Sequence, residues 1–156
     1  MSILQQIFSV IKYIILLGIL SHLIGEALPR RWFHWDRFPY RTYNWEKGGR
    51  FYEKLHIRKW KDRLPDKSKY TRNTFTKEMN GHEDQSNLVR FLQETCVAEL
   101  VHWVLAALCV PLYWYVPTPF GAVAATLYAL SNIPFIIIQR YNRPRLYRVY
   151  QKKHTN

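Results

Sequence analysis

Hydrophobic and polar positions along this chain are sorted into blocks. Apolar residues dominate 3–28, 88–116 and 120–138, and charge fills the stretches between and after them. A helix that crosses a bilayer needs about 20 mostly apolar residues. The pattern therefore predicts spans near 7–28, 88–116 and 120–138. The first also carries Lys12, His22 and Glu26. A secretory signal has an apolar run of only about 7–15 residues, closed by small residues. Here the run is longer and meets Leu28-Pro29-Arg30-Arg31, which favours a retained span over a cleaved signal. Only Val-Pro-Thr-Pro at 116–119 separates the second span from the third, so those two pair as an antiparallel hairpin. The predicted fold class is an all-α integral membrane protein. It has about three transmembrane helices, with an amphipathic, basic interfacial segment at 29–87 and a basic tail at 139–156, in a single membrane domain over 1–156.

Composition sharpens this picture. A mean hydropathy of −0.28 would suit a soluble protein, but the average hides the blocks. The formal net charge is +12, from 23 Lys and Arg against 11 Asp and Glu. Such an excess suits nucleic acid, an anionic membrane surface or phosphate-bearing substrates. Tethering between spans argues against nucleic acid. Segment 29–90 holds 16 of the basic residues, the tail holds 6, the N-terminal stretch holds Lys12 alone, and the 113–121 turn holds none. Basic loops stay in the cytoplasm, so the N-terminus is expected outside and both basic segments in the cytoplasm. Tyr113, Trp114 and Tyr115 then form an aromatic belt at the outer interface. The two cysteines, Cys96 and Cys109, lie inside an apolar span, which indicates neither a disulfide framework nor a zinc site.

The basic segment is rich in aromatics, among them Trp32, Trp35, Trp45, Phe51, Tyr52 and Trp60. A disordered linker is poor in them. Rings and cations together suit the headgroup layer. Gly48-Gly49 precedes a predicted interfacial helix at 50–63, apolar through Phe51, Leu55 and Trp60 and charged through Lys54, Arg58, Lys59 and Lys61. Pro65 is expected to end it. Residues 66–86 read as a polar connector, with Asp84 or Ser86 as N-cap of the next helix.

Ionisable groups inside a membrane helix are expensive and mark function. Glu94, Glu99 and His102 share an arc of roughly 140° with Thr95, Ala98, Ala106 and Cys109. Leu100, Trp103, Val104 and Leu108 lie opposite. Glu99 and His102 are three apart, so a carboxylate is placed to orient an imidazole. Such a pair serves either as general base or as a structural polar contact between helices. At the end of the third span Asn132, Gln139 and Arg143 recur at spacings of seven and four. Pro134 is expected to bend that helix, and Pro144 to disfavour helix at Arg143, splaying the arginines at the boundary. Asn132, Gln139 and Asn142 suggest a hydrogen-bonded site. His34, His56 and His82 lack ligand spacing, and no Gly-rich phosphate loop or Gly-x-Ser-x-Gly elbow occurs.

Several strings carry a resemblance: Tyr43-Asn44-Trp45-Glu46-Lys47-Gly48-Gly49-Arg50-Phe51, Ile57-Arg58-Lys59-Trp60-Lys61, Leu64-Pro65-Asp66, Glu94-Thr95 through Ala98-Glu99-Leu100-Val101-His102-Trp103, and Asn132-Ile133-Pro134 through Gln139-Arg140-Tyr141-Asn142-Arg143-Pro144-Arg145-Leu146. Together they resemble the glycosyl-4,4'-diaponeurosporenoate acyltransferase family of Gram-positive bacteria, over nearly the whole chain. The family's reaction esterifies a fatty acyl chain to the glucose of a glycosylated C30 carotenoid, the last step of staphyloxanthin formation. The resemblance implies an acyltransferase of the cell membrane. Its partners would be membrane lipids, a fatty acyl donor and a glycosylated lipid or carotenoid acceptor, with association with other pathway enzymes open. No cofactor or metal is expected. The co-substrate would be an acyl-CoA, an acyl carrier protein or a phospholipid.

In this reading His102, oriented by Glu99, is general base on an acceptor hydroxyl. Arg140, Arg143 and Arg145 hold an anionic donor group or the oxyanion. Asn132, Gln139 and Asn142 donate hydrogen bonds, Glu94 lines the same helix face, and Arg58, Lys59 and Lys61 meet phosphate. Other readings are acylation of another lipid or of a lipoprotein amine, a small membrane methyltransferase, and a non-catalytic scaffold binding anionic lipid.

Overall fold

A computed structural model describes residues 1–64 and 84–154. They are mostly helical, and no strand occurs among them. Helix α1 is Ile3–Ala27, α2 Ile57–Trp60, α3 Asp84–Ala107, α4 Leu112–Tyr115 and α5 Pro119–His154. Three stretches are long and apolar enough to cross a membrane: Ile3–Ala27, Ser86–Tyr115 and Pro119–Lys153. The chain divides into two compact units, one of Met1–Leu28 with Ala98–Ile136, the other of Pro29–Val97 with Ile137–Asn156.

In the first unit, α1 starts with a capping box. The Ser2 hydroxyl accepts from the Gln5 N–H, and the Gln5 side chain accepts from the Ser2 N–H, which satisfies two otherwise orphaned donors. Its buried residues, Val10, Leu17, Ser21 and Gly25, fall at spacings of seven, four and four, a single stripe. Most of its other side chains, including Phe8, Ile15, Leu16 and Leu23, stay exposed, as a helix facing lipid requires. Gly25 permits close packing, because a Cβ there would sit 3.2 Å from the Val101 methyl. The Tyr13 hydroxyl donates to the Leu108 carbonyl at 2.7 Å, and its ring stacks on Tyr115. Val10, Cys109, Leu112, Val116 and Ala125 form the core beside it. Pro111 lacks an N–H and falls between α3 and α4. The Thr118 hydroxyl then accepts from the Gly121 N–H as α5 begins.

In the second unit, 3-10 turns cover Arg30–Trp32, Asn44–Leu55 and Lys61–Arg63. Lys47, Gly48 and Gly49 adopt positive φ inside the second of these. Gly49, at φ +89°, lies against the last helix: a Cβ there would meet the Tyr141 carbonyl at 3.1 Å. Tyr52, Ile57, Ile138 and Tyr141 form a small core under Trp60 and Leu64.

Three local expectations are corrected. The continuous helix expected at 50–63 is broken at His56, which takes a left-handed conformation with φ 53°. Tyr52 and Ile57 are both buried. Five residues apart on one helix they would point roughly 140° from each other, so the break is what lets both reach the same core. Pro144 does not end the last helix, which runs on to His154. Flanking side chains hold its backbone: Arg145 Nη1 donates to the Tyr141 carbonyl and Arg148 Nε to the Pro144 carbonyl. Finally, Asp84 and Ser86 lie within α3 rather than before it. The connector at 66–83, the stop at Pro65 and His82 lie outside the described residues.

Candidate active site and its basic neighbour

The polar face expected on α3 is there. Thr95, Glu99 and Cys109 are buried, while Trp103 and Val104 are exposed. In the first unit, α3 presents His102 to Asn132 of α5, with Nδ1 2.9 Å from the Asn132 side-chain oxygen. The Asn132 amide nitrogen donates to the Tyr128 carbonyl one turn earlier at 2.8 Å. That second bond fixes which end of the amide faces the imidazole. The end facing His102 is the oxygen, which only accepts, so Nδ1 carries a proton and donates to it, and Nε2 is the ring nitrogen through which a proton can be exchanged. The ring is also sandwiched against Phe135, with centroids 4.5 Å apart and planes within 9°. Glu99, one turn before His102 on the same face, is 3% exposed. A buried carboxylate and an imidazole of defined tautomer, at the depth of apolar helices, form a site able to accept a proton from a hydroxyl. Sequence reading paired Glu99 with His102 and grouped Asn132 with Gln139, Arg143 and Asn142; the structure sets the Asn132 amide against His102 instead. Sequence reading also missed Phe135 and Tyr128, the residues that set the ring plane and the amide direction.

The second unit gathers the arginines. Arg140 clasps Glu46 through two bonds, Nε to Oε1 at 2.7 Å and Nη2 to Oε2 at 3.0 Å, and also donates to the Arg41 and Pro39 carbonyls. Glu46 is 1% exposed and accepts further bonds from the Tyr52 hydroxyl and the Tyr43 N–H. Burial pushes its carboxyl pKa up, but the bonds from Arg140, Tyr52 and Tyr43 outweigh this, and the net shift is downward. Burial, then the bond to Glu46, pushes the Tyr52 phenol up. Arg143 is almost wholly buried and donates to the Thr95 hydroxyl, the Thr95 carbonyl and the Tyr40 carbonyl. Arg145 meets Glu53 at 2.6 Å, and Arg58 meets the same carboxylate oxygen while its Nε donates to the Tyr141 hydroxyl. The Arg58 hydrogen bond, first among the causes, holds the Glu53 carboxyl below its usual range.

Glu94 forms a bidentate pair with Arg30, at 2.8 and 3.1 Å. Gln139 is buried and Asn142 half-buried on the last helix. Lys61 pairs with Asp62 at 3.2 Å, whereas Lys59 is exposed. The structure thus gives Arg140, Arg143 and Arg145 protein partners in segment 29–97. Sequence reading missed those partners, Glu46, Tyr52, Glu53 and Thr95. The available signal was Glu46, a lone acid within an aromatic and basic run. His34 and His56 are exposed. Among the described residues, no three His, Cys, Asp or Glu side chains gather where a metal ion would bind.

Comparison with known proteins adds the family. Its relatives include the glycosyl-4,4'-diaponeurosporenoate acyltransferases of three Staphylococcus aureus strains: MRSA252 at 32% identity, bovine RF122 / ET3-1 at 31% and USA300 at 30%. Each alignment covers 124 residues, 79% of this chain and 74% of the relative. No solved structure matches the chain. The matched family model, described as glycosyl-4,4'-diaponeurosporenoate acyltransferase, spans residues 29–152 and so takes in both the imidazole site and the arginine clasps; the chain belongs to this family and is an acyltransferase.

Proposed function

We propose that this chain moves a fatty acyl group onto a sugar hydroxyl of a glycosylated lipid at the membrane, with a glycosylated C30 carotenoid as the acceptor. The observation that carries the reading is the tautomer of His102. With Nδ1 committed to Asn132, Nε2 is the atom positioned to take the acceptor's proton. The hydroxyl oxygen then bonds to the donor carbonyl carbon, the bond from that carbon to sulfur or oxygen of the donor breaks, and the departing group collects the proton from Nε2. Glu99, buried one turn away, stabilises the imidazolium that forms in between. Asn132 holds the ring at the angle the transfer needs.

An acyl-CoA, an acyl carrier protein and a phospholipid all bring phosphate. We assign it to the cations of the second unit, first Arg58 and Lys59, which are exposed. Arg140, Arg143 and Arg145 serve this reading by holding the segment that carries those cations, and Gln139 and Asn142 are proposed to hydrogen-bond the substrate. The basic segment and the C-terminus face the cytoplasm, where activated acyl donors are made, and this orientation rests on the distribution of Lys and Arg.

Purified protein in nanodiscs, given radiolabelled acyl donor and the glycosylated carotenoid, tests the chemistry. His102→Ala should lower the rate about 10²–10⁴-fold, the usual loss for a general base, with helical content unchanged. Turnover close to wild type in that variant ends the assignment.

A further inference from the structure

The segment Asn44–Leu55 leaves large apolar side chains on its surface. Trp45 is 54% exposed, Phe51 38% and Leu55 45%. Single exposed hydrophobics are ordinary, but here the rings meet. Trp45 and Phe51 pack edge to face with centroids 5.3 Å apart, and both touch Tyr52. The patch is also positive. Residues 44–61 contain two carboxylates, Glu46 and Glu53, and both are held by arginines of the last helix. Arg50 and Lys54 remain exposed beside the rings.

The clasps also give the depth of this patch. Glu46 pairs with Arg140, two residues beyond Ile138, where the apolar run of α5 ends. Glu53 and Arg58 meet Arg145 and Tyr141, within five residues of that pair. At 1.5 Å per residue these contacts all fall within roughly two turns of the end of that apolar run. Pro29, where the unit begins, follows α1 at its end after Ala27. The segment is thus held to the part of the last helix just past its apolar run, with Trp45, Phe51, Leu55, Arg50 and Lys54 exposed.

From this geometry we infer that Asn44–Leu55 is a docking surface for anionic phospholipid. Trp45, Phe51 and Leu55 enter the upper acyl region, and Arg50 and Lys54 meet headgroup phosphates. Aromatic rings prefer that boundary, and surface cations prefer anionic lipid. The inference depends on the spans and the clasps, not on the acyl-transfer chemistry.

The full chain is reconstituted in phosphatidylcholine vesicles, with or without phosphatidylglycerol, one lipid at a time carrying bromine high on its acyl chains. The fluorescence lost in Trp45→Phe defines the signal of Trp45. That signal should be quenched, several-fold more strongly by brominated phosphatidylglycerol than by brominated phosphatidylcholine. The preference should vanish in the Arg50→Glu/Lys54→Glu double variant. If Trp45→Phe does not fold, Leu55→Trp reports the same surface by its added signal. Equal quenching by both lipids, or none, overturns the proposal. So does shielding of Trp45 by an acidic acyl carrier protein with no response to phosphatidylglycerol. His102→Ala should leave the lipid signal unchanged, which separates failure here from failure of the catalytic reading.

Discussion

At the scale of single residues, two hydrogen bonds determine how the site behaves. The bond from Asn132 to the Tyr128 carbonyl turns the amide, and the turned amide selects the imidazole tautomer. Asn132→Leu keeps the volume but removes the acceptor, so Nδ1 and Nε2 compete for the proton. Its kcat is expected to fall roughly 10²-fold, the lower end for a misplaced base. Asn132→Asp keeps an acceptor on Nδ1–H and should retain activity within about tenfold of wild type. Parallel loss in both variants, measured as initial rates, would show that the amide matters only for packing.

Glu46 makes a pH prediction. Its carboxyl is held below its unfolded value, so the stabilisation is complete above that value, about 4.3, and disappears as pH falls through the lower folded one. Glu46→Gln leaves Arg140 without its charge partner and should cost about 3 kcal/mol near neutral pH. Thermal melts in detergent should show the two proteins converging below pH 4.3, since protonation then does to the wild type what the substitution does at every pH. A gap that persists at lower pH would contradict the assignment.

At the scale of elements, the sequence was legible where one element settles its own structure and illegible where distant residues decide. The spans follow from apolar runs: α1 and α5 carry the first and third, and α3 with α4 the second. The polar face of α3 follows from helical spacing, and Thr95 and Glu99 are indeed turned inward. The break at His56 was illegible, because the 50–63 pattern looks amphipathic until Tyr52 and Ile57 must share the core with Ile138 and Tyr141. The continuation of α5 past Pro144 was illegible as well, because local propensity disfavours helix just before a proline. The roles of the arginines were half legible. Their charge marked the end of the last span, but their partners lie 48 to 103 residues away.

The turn between α4 and α5 supplies a prediction at this scale. A Cβ on Gly121 would fall 2.0 Å from the Val116 carbonyl oxygen, a backbone atom that has no room to yield. Gly121→Ala should destabilise by about 2 kcal/mol, as overpacking does. Gly18, on α1, has nothing within 4 Å of such a Cβ, and Gly18→Ala should be neutral or stabilising by up to about 1 kcal/mol. Melting temperatures of the two variants should move in opposite directions or differ by several degrees, and equal shifts would argue against the close turn.

At the scale of the whole molecule, three apolar helices and an uneven spread of Lys and Arg define a topology. Fusing green fluorescent protein to the C-terminus should give fluorescent cells, and fusing alkaline phosphatase there should give inactive enzyme. The reverse pair of results would invert the orientation and with it the side from which the acyl donor arrives. Membership of the family accounts for residues 29–152, and that stretch holds every clasp between segment 29–97 and the last helix.

Those clasps also set a schedule for biogenesis. Glu46 is made 94 residues before Arg140, Glu53 92 residues before Arg145, and the Tyr40 carbonyl 103 residues before Arg143. While the ribosome is still translating, the basic segment has left the first span with only local partners, Arg58 for Glu53 and the Tyr43 N–H and Tyr52 hydroxyl for Glu46. Only when the final helix has emerged do Arg140, Arg143 and Arg145 add their bonds, so this half of the molecule is completed late. A chain stalled before Arg140 would carry its first spans into the bilayer with an unfinished basic loop, ready substrate for membrane proteases.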